Sequence, residues 1–258
     1  MRARHVARER CREDLGNFEN LKFSKDVFSS GTWNVRTLRG PGSLDLLEYE
    51  LDRYQWHIVG LAETRWTGFG EQTTAKGNKF WFCGEDSSHE RGVGFLVHKS
   101  VISSVMECTP ISSRFITMRL KAHPFNVTII QAYAPTAASS EEDIDDFYEQ
   151  LEDLVDGVPR KDFLILQGDF NAKIGKDASC NWKDTVGRFG CGVRNDRGEN
   201  LLDFCQAHGL FIANTLGNHK TSRMTTWHSP GGLYHNQIDF VIVRQRFKSS
   251  VLAGKTRL

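Results

Sequence analysis

Phe163-Leu164-Ile165-Leu166-Gln167-Gly168-Asp169-Phe170-Asn171-Ala172 is the stretch on which the fold turns. Four apolar residues in a row read as a strand buried on both faces, and the run ends abruptly in a glycine and two polar side chains. Such a strand belongs to an α/β domain, in which rigid sheet delivers ligand-binding groups to a common edge. Residues two apart on an extended chain point the same way, so Asp169 and Asn171 are expected on one face with Phe170 in the core. Gly168 leaves room for close approach of a substrate or metal. A carboxylate beside an amide can orient and deprotonate a water while the amide donates to developing negative charge, which is what hydrolysis of a phosphate ester requires. A polar turn after a strand is the plainer reading of these residues alone.

Working back from this stretch, Ser140 opens an acidic first turn (Glu141, Glu142, Asp143), and Ile144, Phe147, Leu151 and Leu154 form an apolar stripe, which together predict a capped helix. Strands are expected over Val127–Tyr133, Phe115–Leu120 and Gly92–His98. Ser43 reads as the N-cap of a helix carrying Leu44, Leu47, Leu51 and Tyr54, followed by a buried strand, Ile58–Ala62, that ends on Glu63. A first strand is expected over Gly31–Val35. Beyond the opening stretch, Leu201, Leu202, Cys205 and His208 mark a short helix, with strands near Phe211, Thr225 and Ile238. Strands that alternate with helices but also follow one another directly predict mixed sheet packed with helices outside. Residues 1–28 read as a loose tail and 29–258 as the folded domain. The five arginines between Arg2 and Arg12 allow a basic arm as an alternative for that tail, whereas Glu9, Glu13 and Asp14 speak against a mitochondrial transit peptide.

Composition adds bounds. With 258 residues, 39% hydrophobic and 25% charged, the chain can bury a substantial core, and a net charge of +1 says nothing about partners. Six cysteines without a C-x-x-C pair favour a reducing compartment, and no apolar run is long enough to span a bilayer. An intracellular protein, nuclear or cytoplasmic, with no membrane partner is expected.

Further polar residues sit at or just past apolar strands. Glu63 would suit Mg²⁺, a hard cation that takes one or two carboxylates plus waters and phosphate oxygens; a simple pair with Arg65 is the alternative. Asn34, at the end of the first strand, could support such a metal through water. Tyr133 closes the strand before Ala134-Pro135. Asp239 is expected in the middle of the last apolar strand, Gln237–Val243, where a carboxylate needs a partner, ordinarily histidine or arginine.

The ordered set Trp33-Asn34, Ala62-Glu63-Thr64, Tyr133-Ala134-Pro135, Gly168-Asp169-Phe170-Asn171, Thr226-Trp227 and Ile238-Asp239-Phe240 resembles the endonuclease/exonuclease/phosphatase superfamily over about residues 30 to 250. The wording of Gly31–Leu38, Gln131–Thr136 and Asn195–Cys205 is similar to endonuclease domains of RTE-type non-LTR retrotransposons. The resemblance implies a four-layer α/β sandwich, two mixed β-sheets face to face with helices outside, and a Mg²⁺-dependent (alternatively Mn²⁺-dependent) nuclease that nicks DNA and leaves a 5′-phosphate. It implies that Glu63 holds the metal with Asn34 in support, that Asp169 activates water, and that Asn171 and Tyr133 hold the scissile phosphate. Asp239 would orient a histidine.

That histidine is where the sequence departs from the pattern, because the family closes with Ser-Asp-His and no Ser-Asp-His occurs here. The expectation is an incomplete site and sheet lacking a closing strand, with metal and DNA affinity kept and turnover weak, since losing such a group costs on the order of 10²-fold or more. A truncated stretch of an active enzyme would give the same sequence. His228 and His235 read as loop residues rather than substitutes. Basic residues crowd the C-terminal half, so Lys173, Arg197 and the aromatic face of Trp227 are expected on DNA, abasic or otherwise distorted, with the acidic helix near Glu141 facing away. A phosphatase on inositol or lipid phosphates and an inactive DNA- or protein-binding descendant are the competing functions.

Overall fold

The structure, a computed structural model, describes residues 21–22, 27–229, 231 and 235–254; most of the expected tail lies outside them. Two mixed β-sheets with helices make an α/β fold, as the alternation of elements predicts. The chain divides into two compact units: Met1–Tyr133 with Arg160–Leu164, and Ala134–Pro159 with Ile165–Leu258. Among the described residues no helix is long and apolar enough to cross a membrane.

In the first unit, β1 (Leu21–Lys22) pairs in parallel with β9 (Ala122–His123), so part of the expected tail is a strand. The principal sheet contains β2 (Ser30–Asn34), β3 (Ile58–Ala62), β4 (Phe69–Thr73), β5 (Lys79–Cys83) and β6 (Val93–Val97) in the order β2-β3-β6-β5-β4. Only β2 and β3 run parallel, so both end at the edge where β6 begins. Helix α1 (Ser43–Leu51) packs Leu44, Leu47 and Leu51 against Val59, Leu61, Phe80 and Leu96. Each such fully buried side chain contributes roughly 1.5–3 kcal/mol. Ser43 is the first helical residue rather than the cap, because Gly42 takes the capping position at φ 76°, a left-handed conformation natural to glycine; Tyr54 falls beyond the helix.

The other face of that sheet meets β7 (Val105–Ser112), β8 (Phe115–Leu120) and β10 (Val127–Tyr133), an antiparallel set ordered β10-β8-β7. Burial on both sides explains why β3, β6 and β10 carry buried residues throughout. A polar link joins the two layers: Gln131 Nε2 on β10 donates to Thr32 Oγ1 on β2 at 2.9 Å. Arg119 forks onto Asp162 at 2.7 and 3.2 Å while Thr128 donates to the same carboxylate at 2.9 Å, so this buried acid is saturated.

In the second unit, α2 (Glu141–Asp156) begins as expected: Ser140 Oγ accepts the Asp143 N–H at 3.1 Å and Asp143 accepts the Ser140 N–H at 3.3 Å. Its buried stripe ends on Val155 rather than Leu154. A one-turn helix, α3 (Ala178–Asn181), precedes α4 (Asp196–Ala207), which starts five residues before Leu201 because Asn195 caps it by accepting the Gly198 N–H at 3.0 Å. Strand β11 (Phe163–Asp169) begins in the first unit and continues in the second, where β15 (Asp239–Arg244) lies between it and β12 (Leu210–Ile212), antiparallel to both. A two-strand ribbon, β13 (Trp227–His228) with β14 (His235–Asn236), precedes β15.

Candidate active site

Each unit carries its own share of the candidate residues. In the first, the chain leaves β3 through Glu63, Thr64 and Arg65, with Glu63 at φ 55° and Arg65 at φ 57°. Arg36, just past β2, sits at φ 58°. Left-handed backbone at residues other than glycine costs on the order of 1–3 kcal/mol each and persists where surroundings over-determine it. Those surroundings are evident: Thr64 N donates to Gly92 O, Arg65 N to Arg91 O, and Leu38 N to Thr64 O, at 3.1, 2.9 and 3.0 Å. Gly92 is required there, at φ 125°, since a Cβ would lie 2.5 Å from Thr64 Oγ1.

This frame aims three side chains at one another. Asn34 Nδ2 donates to Glu63 Oε1 at 2.7 Å, and Arg65 Nη2 donates to Glu63 Oε2 at 3.0 Å. Asn34 Oδ1 accepts the Arg36 N–H at 2.9 Å. Glu63 is thus fixed on both oxygens, and the Arg65 pair coexists with the Asn34 contact. Tyr133, at the end of β10, is buried; its carbonyl accepts Arg114 Nη1 at 3.1 Å, and that guanidinium lies 5.8 Å from the ring.

The second unit holds the acid pair. Asp169, the last residue of β11, stands directly opposite Asp239 in the antiparallel register. Asp239 is the first residue of β15, not its middle as expected, because the residues before it belong to the turn out of the β13–β14 ribbon. Its carboxyl is raised well above the ordinary range, first by desolvation and then by the charge of Asp169, with a hydrogen bond to Thr226 opposing. Asp239 Oδ1 is shut from solvent and has no hydrogen-bond partner among the described residues. Asn171 departs from the extended geometry anticipated for it. At φ 49° it turns back so that its N–H reaches Asp169 Oδ1 at 2.9 Å and its Nδ2 reaches Ala134 O at 3.0 Å, while Phe170 is buried as expected. Asparagine tolerates this conformation better than most residues.

The remaining candidates are placed as follows. Trp227 is half-buried on β13 opposite Asn236. Lys173 is half-buried, its backbone N–H on Asn195 Oδ1 at 2.8 Å. Arg197 forks onto Glu141 at 3.2 Å through both terminal nitrogens, so the acidic helix does not face away from this arginine but neutralises it. His228 and His235 are exposed cross-strand partners with ring centroids 4.4 Å apart, on short strands rather than in a loop. Two residues to which the sequence assigned no role of their own hold Asp239 in place. Asn214 accepts the Val241 N–H at 2.8 Å and donates to Asp239 O at 3.3 Å, clamping the start of β15. Thr226 Oγ1 accepts the N–H groups of Ile238 and Asp239 at 3.0 and 3.2 Å. A buried polar residue in Ala213-Asn214-Thr215, directly after the apolar run Leu210–Ile212, was the available signal for the first.

Glu152, Asp156 and His208 also gather side chains of metal-ligand type. Their arrangement is that of ion pairs: Nε2 of His208 faces Glu152 at 3.8 Å and Nδ1 faces Asp156 at 3.7 Å, so the acids address opposite edges of the ring.

Residues 31–254 match the model of the endonuclease/exonuclease/phosphatase family. The chain belongs to that family. It is 40% identical over 237 residues to craniofacial development protein 2 of Tragulus javanicus and 40% identical over 242 residues to that of Bos taurus, alignments covering 92% and 94% of the chain. The chain spans about 40% of the length of these curated relatives. Among solved structures, its fold is similar to the endonuclease domain of TRAS1, a telomere-specific non-LTR retrotransposon (TM-score 0.54, 16% identity, 86% of this chain and 88% of that one). It is also similar to the 3′ phosphatase NExo from Neisseria bound to product DNA hairpin (0.58, 16%, 84% and 87%) and to the AP endonuclease LMAP from Leishmania major (0.58, 12%, 84% and 79%).

Proposed function

We propose that this chain is a divalent-metal-dependent phosphodiester hydrolase that nicks DNA, with abasic or distorted duplex as preferred substrate. The observation that carries this reading is the acid pair at the β11–β15 edge: Asp169 faces a carboxyl whose pKa is driven up by burial and by Asp169 itself. Two carboxyls in such unequal settings can divide the labour of proton transfer. Asp169, held against the Asn171 N–H, is the group that deprotonates the attacking water; Asn171 and Tyr133 hold the scissile phosphate. Glu63 and Asn34 present hard oxygen donors on a pre-set carboxylate, a donor set that fits Mg²⁺ or Mn²⁺. The metal would supply charge neutralisation at the phosphate. Asp239, whose Oδ1 has no hydrogen-bond partner among the described residues, would orient the charge-stabilising donor that the family resemblance assigns to a histidine of a Ser-Asp-His absent from this sequence; Asn214 and Thr226 hold its backbone. The DNA-linked neighbours NExo, TRAS1 and LMAP support nucleic acid over lipid as substrate.

An inactive DNA-binding descendant is the second reading, favoured by the unpartnered Asp239 Oδ1. One assay separates the possibilities. Purified protein with Mg²⁺ is expected to nick supercoiled plasmid, with nicking lost in EDTA and in Asp169→Asn. Binding without nicking would select the inactive descendant, and phosphate release from inositol polyphosphates with intact plasmid would select the phosphatase.

A further inference from the structure

Two arginines, Arg36 and Arg65, are linked to Glu63, the first through Asn34 and the second directly. We propose that Arg36 and Arg65, at one edge of the five-stranded sheet, contact the backbone phosphates of bound DNA, and that this surface, rather than the basic C-terminal stretch, sets the salt dependence of binding. The inference rests on the nucleic-acid reading above and deepens it.

The placement follows from topology. Strands β2 and β3 are parallel and end at the same edge, with Arg36 two residues past the first and Arg65 three past the second. β6 is antiparallel and begins there, preceded by Arg91. The two arginines are joined by an unbroken chain of contacts: the Arg36 N–H on Asn34, Asn34 on Glu63, and Glu63 on Arg65. Both have left-handed backbone, a cost the fold bears at the residues carrying these side chains.

Their side chains are under-used for groups so firmly mounted. Arg36 is exposed, and its side chain makes no hydrogen bond or ion pair among the described residues. Arg65 spends Nη2 on Glu63, but its Nε is shut from solvent with no acceptor among the described residues, although 42% of the side chain is exposed. Its main chain, by contrast, is pinned through the Arg91 carbonyl and through His89 Nδ1 on its own carbonyl at 2.8 Å. A guanidinium fork is best matched by an acceptor that offers two oxygens at once, and a phosphate offers them. Arg197 and Arg194, in the basic C-terminal stretch, are already committed to Glu141 and Asp177.

The test is fluorescence anisotropy of a labelled abasic duplex against a series of KCl concentrations, in EDTA so that no cleavage intervenes, with thermal melts confirming that each variant is folded. Arg36→Ala and Arg65→Ala are each expected to weaken binding and to reduce the slope of log Kd against log salt by about 1, the signature of one lost phosphate contact. Arg65→Lys keeps the slope but binds more weakly than wild type, since a point charge replaces the fork; should Arg65→Ala fail to fold, this variant and Arg36→Ala decide. Wild-type slope and affinity in all variants, or loss of slope instead in Lys183→Ala and Arg188→Ala, two further basic residues of the C-terminal half, would overturn the inference while leaving DNA as substrate. Wild-type protein that fails to bind DNA at low salt would overturn the proposed function itself.

Discussion

Glu63 in the first unit and Asp239 in the second are both acids at sheet edges, and they are held in opposite ways. Glu63 has a donor on each oxygen, from Asn34 and Arg65. Asp239 faces another carboxylate, is desolvated, and leaves one buried oxygen without a hydrogen-bond partner among the described residues. The first arrangement is satisfied before any ligand arrives, at the cost of strained backbone; the second is electrostatically frustrated on relaxed strand. A pre-set carboxylate suits a fixed ligand such as a metal, whereas a frustrated pair suits groups whose protonation must differ. Preorganisation and pKa tuning are thus separated between the two units.

The contrast is most severely tested by Asp169→Asn, which should lower Mg²⁺-dependent nicking by about 10²–10⁴-fold while leaving the melting temperature unchanged or higher, because it removes the charge opposite Asp239. A loss of both activity and stability would show that the pair is not frustrated. Next in size, Glu63→Gln should weaken Mn²⁺ binding, followed by electron paramagnetic resonance, by about tenfold or more, since the amide cannot keep the charge that Asn34 and Arg65 hold in place.

Asp239→Asn should raise the melting temperature at neutral pH by about 2–4 °C if the relief is on the order of 1 kcal/mol. The sign follows from linkage. A carboxyl whose folded pKa lies above its ordinary 3.8 keeps a proton that the unfolded chain gives up. The stability tied to it is therefore complete below that ordinary value and is lost as pH rises toward the folded pKa. Melts across acid to neutral pH should show this decline in wild type and a flatter profile in Asp239→Asn. The smallest effect is expected from Arg197→Ala, whose pair with the exposed Glu141 is worth less than about 1 kcal/mol; the salt slope of DNA binding should not change.

Much of the fold could be read from the chain because its strongest signals are local. The apolar run before Gly168, the Ser140–Asp143 capping box and the alternation of helix and strand all arise from residues adjacent in sequence. Strands β4, β5 and β7 gave no comparable signal: β4 is an exposed edge strand, β5 is stabilised by its neighbours, and β7 carries Pro110 and irregular register. The site was legible as residue types but not as geometry. The turn at Asn171, the position of Asp239 opposite Asp169, and the diversion of Arg197 to Glu141 involve partners 37, 70 and 56 positions away, respectively, in the chain. Asn214 was missed for the same reason, since its contacts are to β15.

The central claim is hydrolysis of a DNA phosphodiester by a water that Asp169 deprotonates. It is tested most directly by incubating an internally abasic, end-labelled duplex with the protein and Mg²⁺ and identifying the new termini, beside Asp169→Asn. The account predicts incision that leaves a 5′-phosphate and a 3′-hydroxyl in wild type and is abolished in the variant. Equal incision by both proteins, or uncut duplex with wild type, would contradict it.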